Sequence, residues 1–272
     1  MSGETGTLEV WRSFRGDPAT DLAREEWMVR SAETRGPVLF LYGWSRPVLV
    51  LGYNQDPATV DLQACAARGV PVLRRITGGT GVMHGADLAL SLALPPDHAW
   101  ARSIAGLYER FLAAIVLALD SRGIALQRPA PRSGPRGPRS PICFEDDFGE
   151  TLLAAGRKCI GCAQARRKQG VLIHGILLRG VDAALQAAVY RADPSRIGAM
   201  LGPVCRRPPS RETLSEALRQ ALADALHASP RDARPPGMPA DLAARYDDPK
   251  WAPRPGESLP LPTGQPRPGP AG

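Results

Sequence analysis

Hydrophobic and polar positions form short blocks along the first part of the chain. Residues 7–14 read TLEVWRSF, a run typical of a short strand. Asp17 and Pro18 then predict the start of a helix, because aspartate caps free backbone N–H groups and proline suits the first helical turn. We expect this helix to end near Ser31 and to pack its apolar face on a sheet. The apolar positions that recur at helical spacing are Ala19, Leu22, Ala23 and Trp27.

The next blocks predict more strands and a glycine-rich loop. Residues 38–44 and 48–53 are apolar and strand-like, and a short helix at residues 61–69 should end at Gly69. Residues 70–95 follow the pattern strand, loop, strand. The second of these strands alternates leucine with other residues, which predicts one buried side and one solvent-facing side. Its leucines are Leu88, Leu90, Leu92 and Leu94.

The second half of the chain adds a long apolar helix at residues 104–119 and strands within residues 150–167 and 170–178. A final helix begins at Ser210 or at Thr213. Helices and strands mixed in this order predict one α+β domain, residues 1–251. The proline-rich residues 252–272 are expected to form a disordered tail.

Composition limits the function more than the fold. No apolar run reaches the roughly 20 residues of a membrane helix, and the first residues lack the features of a secretory signal. We therefore expect a cytoplasmic protein that does not enter a membrane. Five cysteines, an odd number, favour free thiols over a disulfide framework. The formal charge of +7 predicts attraction to acidic partners.

Residues 74–84, RRITGGTGVMH, are the first segment with candidate chemistry. Two arginines lead from a strand into a loop whose glycines let a ligand approach exposed backbone N–H groups. Such a loop can hold an anion or a carbonyl oxygen. The alternative is a tight hairpin with solvated arginines. A phosphate-binding P-loop is excluded because the Gly-Lys-Ser/Thr ending is missing.

The second segment combines Cys143 with residues 156–164, GRKCIGCAQ, and with His174. A thiol attacks a thioester as the thiolate, and a nearby cation such as Lys158 lowers the pKa of a thiol. The lysine can also stabilise negative charge on a carbonyl oxygen. The alternative is a cysteine that packs as a small hydrophobic residue. His174 is interpreted as a strand histidine with satisfied hydrogen bonds rather than as a base.

Cys159 and Cys162 have the spacing of half a zinc site, but the sequence offers no second close pair of ligands. Residues three apart on a strand are also expected on opposite sides of the sheet. We therefore predict no metal site.

Taken together, these segments resemble the superfamily of biotin and lipoate protein ligases and octanoyltransferases. Its members carry Arg-Arg-x-x-Gly-Gly, a nearby His, then Gly-Arg-Lys-x-x-Gly-x-Ala and His-Gly. Residues 17–26 resemble the first helix of that family, and Arg245, Tyr246 and Trp251 resemble the end of its catalytic domain. The resemblance implies mixed β-sheets flanked by helices, a catalytic domain of the class II aminoacyl-tRNA synthetase and biotin protein ligase type.

Within the superfamily, Cys143 is similar to the cysteine of the cysteine-dependent octanoyltransferases. The resemblance implies that Cys143 takes an octanoyl or lipoyl group from acyl carrier protein and passes it to a lysine of glycine-cleavage H protein or another lipoyl domain. Lys158 would position the acyl carbonyl and support the thiolate. The leucine-rich strand would wall the acyl pocket. Substrate-binding roles are implied for Arg75, Gly78, Gly79, His84, Gly161, Ala163, His174 and Gly175.

Such a transferase needs no cofactor. The alternative enzyme is an ATP-dependent lipoate–protein ligase, whole or one half of a split ligase, which would use ATP and Mg²⁺. A third alternative is a non-catalytic relative that binds lipoyl domains, or nucleic acid, through the arginine-rich residues 128–139. Nucleic acid is disfavoured because this loop lacks the interleaved aromatic residues on which bases stack.

Overall fold

The structure, a computed structural model, describes residues 6–129 and 151–256. Within these ranges the strands are β1 (Gly6–Ser13), β2 (Val38–Tyr42), β3 (Val48–Leu51), β4 (Val72–Arg74), β5 (Val82–His84), β6 (Asp87–Leu94), β7 (Thr151–Ala154), β8 (Arg157–Arg167), β9 (Gly170–Leu178) and β10 (Ala228–Asp232). The α-helices are α1 (Pro18–Arg35), α2 (Leu62–Ala67), α3 (Ile104–Asp120), α4 (Ala183–Tyr190), α5 (Pro194–Met200), α6 (Arg211–Ala225) and α7 (Ala240–Ala243).

Seven of these strands form one sheet in the order β10-β1-β2-β6-β9-β8-β7. The strands β10, β1 and β2 run parallel to one another, and each later pair is antiparallel. A second sheet has the order β4-β3-β5, with β4 parallel and β5 antiparallel to β3. Mixed sheets of this kind confirm the predicted α+β class.

Two apolar clusters cover the two faces of the large sheet. The helix α1 and the small sheet contribute to one cluster, and α3 and α6 contribute to the other. The strand β6 is buried along its whole length. Its four leucines belong to the α3 side, while Ala89 and Ala93 belong to the α1 side. The predicted solvent-facing side of this strand is therefore wrong, because α1 covers it.

Local signals placed the helix starts well. The Asp17 carboxylate accepts a hydrogen bond from the Thr20 backbone N–H at 2.9 Å, and Pro18 begins α1 as predicted. The helix ends at Arg35, one turn later than expected, before Gly36 with a φ of +84°. Ser210 caps α6 by accepting from the Thr213 N–H at 3.1 Å, which decides between the two predicted starts.

Other elements of the structure differ from the predicted ones or have no predicted counterpart. The strand expected over residues 150–167 is two strands, β7 and β8, joined by a turn in which Ala155 and Gly156 both have positive φ. The helices α4 and α5 and the strand β10 were missed. Residues 257–272, most of the expected tail, lie outside the described ranges, so the domain boundary and the disordered tail stay predictions. In the described part of the chain, no helix is both long enough and apolar enough to span a membrane.

Candidate active site

A pocket lies between the two sheets, against α1. It gathers residues from both motif segments, which are far apart in the sequence. Its apolar walls come from side chains on α1, β2, β3, β5 and β9, and the leucines of β6 do not line it, contrary to expectation. The lining residues are Leu22, Tyr42, Val50, Arg75, Val82, His84, Gly161, Cys162, Ala163, His174 and Ile176.

Arg75 shapes the glycine loop from inside the protein. Its side chain is 3% exposed, so the alternative of a hairpin with solvated arginines is wrong. The guanidinium donates to the carbonyl oxygens of Gly78 at 2.7 Å and Thr80 at 3.0 Å. It also donates to the Val50 carbonyl at 3.1 Å and to the Thr77 hydroxyl at 2.9 Å. An arginine with these four acceptors fixes the conformation of the loop.

Arg74 is buried even more completely and ties the C-terminal segment to the same region. Its guanidinium donates to three carbonyls of residues 52–55 and to the Lys250 carbonyl. Burial lowers the pKa of Arg74 from its ordinary value. The Tyr246 hydroxyl donates to the Arg74 carbonyl at 3.0 Å. The C-terminal segment therefore supports the loop that precedes the pocket.

His174, on β9, has both ring nitrogens engaged within the protein. Nδ1 lies 3.1 Å from Oε1 of Glu25, and Nε2 lies 2.9 Å from the hydroxyl oxygen of Thr77. Both nitrogens are satisfied when Nδ1–H donates to the carboxylate and the Thr77 hydroxyl donates to Nε2. Because Thr77 also accepts from Arg75, this network continues into the glycine loop. The interpretation of His174 as a satisfied strand histidine agrees with this geometry.

Glu25, on α1, is the buried anion of this network, and sequence reasoning missed it. Its Oε1 also accepts hydrogen bonds from the Tyr42 hydroxyl at 2.9 Å and from the Ser91 hydroxyl. Burial alone would raise the pKa of Glu25, but attraction to His174 and the three hydrogen bonds outweigh it, so the pKa lies below its ordinary value. The available signal was a glutamate three residues after Leu22, within the apolar face of the helix.

His84, at the end of β5, lies in the pocket wall with a different set of partners. Its Nδ1 is 2.7 Å from Oδ2 of Asp87, and its ring packs 4.8 Å from that of Trp44. Asp87 was also missed, although it follows His84 by three positions. Its Oδ1 accepts from the Gly85 N–H at 2.6 Å, and Arg211 donates to the Asp87 backbone carbonyl at 2.6 Å.

Lys158 lies on β8, where it is 4% exposed. The pairing of β7 with β8 shifts register between Leu152 and Leu153. Beside Lys158, this shift interrupts the alternation of side-chain direction along β8. As a result Cys159 and Cys162 both contact the cluster on the α3 side, and the prediction that they face opposite sides is wrong. Cys159 is fully buried, and this burial raises its pKa to about 12, so that it packs as a neutral thiol.

Three further predicted binding residues do not line the pocket. Gly78 and Gly79 lie in the loop held by Arg75. Gly175 packs against Cys162, and a Cβ added at Gly175 would lie 3.1 Å from the Cys162 Sγ. Cys143 and residues 130–139 of the basic loop lie outside the described ranges, so the pairing of Cys143 with Lys158 stays a prediction. Among the residues that the structure describes, no three His, Cys, Asp or Glu side chains gather as a metal site would require.

Comparison with known proteins gives consistent matches. The family model of the lipoyl protein ligase A/B catalytic domain matches residues 17–223. Octanoyltransferase LipM of Geobacillus kaustophilus is 30% identical over 201 residues, covering 70% of this chain and 72% of that protein. Octanoyltransferase LipM of Kyrpidia tusciae is 30% identical over 244 residues, covering 81% of this chain and 89% of that protein.

A solved structure shares the fold. The bi-partite lipoate protein ligase of Thermoplasma acidophilum, described together with its E2 lipoyl domain, has a TM-score of 0.72 at 21% identity. The match covers 89% of this chain and 92% of that one. The fold expected from the resemblance, mixed sheets flanked by helices as in the lipoate ligases, is therefore confirmed.

Proposed function

Because this chain belongs to the family of lipoyl protein ligase A/B catalytic domains, we propose that it is an octanoyltransferase that acts through Cys143. The family predicted from the sequence motifs is thereby confirmed, and the chain is an acyltransferase. Both relatives described above are named octanoyltransferases, which favours octanoyl as the group transferred.

One observation carries the proposal. The segments that contain the two motifs converge on the walls of one pocket, with Arg75 and His84 from the first and Gly161 and Ala163 from the second. The remaining lining side chains are mostly apolar, as an alkyl chain requires. The buried Lys158 lies on the same strand as Gly161 and Ala163. A narrow apolar site beside polar groups suits a fatty acyl chain that ends in a thioester.

In this proposal the reaction has two steps. The Cys143 thiolate attacks the thioester carbonyl of octanoyl acyl carrier protein, so that a new C–S bond forms and the carrier leaves as its thiolate. Lys158 stabilises the negative charge that develops on the carbonyl oxygen. The acceptor lysine then attacks the Cys143 thioester, which gives an amide and regenerates the thiol. Exchange between thioesters is nearly balanced and amide formation is downhill, so no ATP is required.

The carriers in this proposal are acyl carrier protein as the donor and a lipoyl domain or H protein as the acceptor. The formal charge of +7 would speed encounters with acidic carriers. The lipoate ligase of Thermoplasma acidophilum was described with an E2 lipoyl domain, which supports a lipoyl domain as the acceptor.

Intact-mass measurement after incubation with octanoyl acyl carrier protein tests the proposal. We expect the parent to gain the mass of one octanoyl group and the Cys143→Ala variant to gain none, because Cys143 is the proposed nucleophile. Cys205→Ala is the matched control, since Cys205 is partly exposed and absent from the pocket lining, and it should acylate like the parent. An adduct that persists in Cys143→Ala would remove Cys143 from the mechanism.

A second arm decides between the transferase and the ATP-dependent ligase. The parent is incubated with ATP, Mg²⁺, octanoate and labelled pyrophosphate, with no carrier protein. We expect no acyl-dependent exchange of pyrophosphate into ATP. Exchange in this arm, together with no adduct in the first, would support the ligase and overturn the transferase.

A further inference from the structure

Two of the four histidines line the pocket, and they differ in how their ring nitrogens are used. Both nitrogens of His174 are engaged, by Glu25 and Thr77. His84 has Nδ1 engaged by Asp87, and among the described residues its Nε2 has no hydrogen-bond partner. His84 is thus the pocket histidine that can exchange a proton with a bound molecule.

We propose that His84 is the general base that takes a proton from the ammonium group of the acceptor lysine, with Asp87 holding its ring in place. This inference rests on the proposed octanoyl transfer and assigns a residue to its second step. His84 contacts the reacting nitrogen in this scheme, whereas Asp87 is a positioning residue.

The surroundings of Asp87 fix which nitrogen of His84 carries the proton. Burial alone would raise the pKa of Asp87, but its interaction with His84 and the hydrogen bond from the Gly85 N–H outweigh burial, so the pKa lies below its ordinary value. A carboxylate that stays charged accepts the Nδ1–H of the ring and leaves the lone pair on Nε2. Arg211 holds the turn by donating to the carbonyls of Asp87 and Gly85 at 2.6 and 2.7 Å.

The second step needs a base because the acceptor is a cation at neutral pH. With an ordinary lysine pKa, about one side chain in 2,500 is neutral at pH 7. In the proposed step Nε2 takes one proton from the ammonium group, and the neutral nitrogen forms a C–N bond with the thioester carbonyl carbon. The C–S bond breaks, the second amine proton passes to the leaving sulfur, and His84 releases its proton to solvent. The balance is one amide, one thiol and one proton.

Other polar groups in the described pocket wall do not suit this role. The Arg75 guanidinium is bound to the glycine loop and offers only hydrogen-bond donors. Burial raises the pKa of Tyr42 well above its ordinary value, and its hydroxyl donates to Glu25. The charged groups that act on the His84 turn are Asp87 on β6, Arg211 on α6, and Arg179, whose charge interacts with both.

The experiment separates the two steps. Parent and His84→Gln are loaded with octanoyl acyl carrier protein, freed of the donor, and mixed with a purified lipoyl domain. We expect His84→Gln to form the acyl-enzyme within about tenfold of the parent rate but to transfer about 10²–10⁴-fold more slowly at pH 7. Asp87→Asn should slow transfer less. The matched control is His227→Asn, an exposed histidine outside the pocket whose positive φ asparagine tolerates.

Two readouts distinguish a base from a structural residue. The transfer deficit of His84→Gln should shrink as pH rises, because more of the acceptor amine is neutral without help. Hydroxylamine, an amine already neutral at pH 7, should remove the octanoyl group from variant and parent at similar rates. A deficit that is independent of pH, or equal with hydroxylamine, would overturn the role of His84. If the parent forms no acyl-enzyme, the octanoyltransferase proposal fails and this inference fails with it.

Discussion

His174 and His84 lie in the walls of the same pocket, one on the large sheet and one on the small sheet, and each is 5% exposed. Burial therefore does not distinguish them. The difference lies in their partners: Glu25 and Thr77 occupy both nitrogens of His174, whereas Asp87 occupies one nitrogen of His84. His174, engaged at both ring nitrogens, holds the structure together, whereas His84, whose Nε2 has no hydrogen-bond partner in the described part of the chain, remains available for chemistry. We call His174 with Glu25 and Thr77 the closed cluster, and His84 with Asp87 the open cluster. Substitutions in the two clusters should have different effects.

The largest expected effect is on stability, at the closed cluster. Glu25→Ala should lower the free energy of unfolding by about 3–5 kcal/mol, because it leaves His174, Tyr42 and Ser91 buried without their common acceptor. His84→Gln should cost less, about 1–3 kcal/mol, since Asp87 keeps its hydrogen bond from Gly85. Urea denaturation of both variants measures the difference.

The control for this measurement is Glu33→Ala, an exposed glutamate on the same helix. It should change the unfolding free energy by no more than about 0.5 kcal/mol. If Glu25→Ala and His84→Gln lowered the free energy of unfolding equally, the division into a closed and an open cluster would be contradicted.

A smaller effect is expected where the closed cluster meets the glycine loop. Thr77→Val keeps the shape but removes the hydroxyl that joins Arg75 to His174, and should cost about 1–3 kcal/mol. Because Arg75 also holds the carbonyls of Gly78 and Thr80, we expect slower formation of the acyl-enzyme. Transfer to the lipoyl domain should keep the pH dependence of the parent. A pH dependence like that of His84→Gln would assign both clusters to the same step.

Much of this fold was predictable from the sequence alone, and the predictions that were wrong or missing have physical causes. The start of α1 was predictable because Asp17 and Pro18 are local signals. The strand β10 was not, because it is held by pairing with β1 across the whole chain. The full burial of β6 and the bulge in β8 depend on tertiary neighbours that alternation does not encode.

The same limit applies to the site. Motifs indicated Arg75, His84 and His174, but not the groups that decide what these side chains can do. Glu25 and His174 are 149 positions apart, and Arg211 is 124 positions from Asp87. The engagement of His174 by Glu25 depends on such a distant contact, and a second distant contact, from Arg211, holds the turn in which Asp87 engages His84.

The smallest expected effect is on the pH dependence of stability. The folded pKa of Glu25 lies below its ordinary value, so its charged form stabilises the fold above the unfolded pKa, about 4.3, and this contribution is lost as pH falls through the folded pKa. Asp21, one turn earlier on α1, has the opposite shift, because burial outweighs its hydrogen bonds and raises its pKa.

Glu25→Gln should therefore flatten the fall in unfolding free energy below about pH 4.3, since glutamine keeps an acceptor oxygen but does not titrate. Asp21→Asn should make that fall steeper. Because the pKa of Asp21 is raised, the folded state takes up this proton more readily than the unfolded state, and protonation of Asp21 therefore stabilises the fold as pH falls. Urea denaturation at a series of pH values measures both slopes. If Glu25→Gln left the acid slope unchanged, Glu25 would not carry the buried charge that closes the His174 cluster, and the contrast with His84 would lose its electrostatic basis.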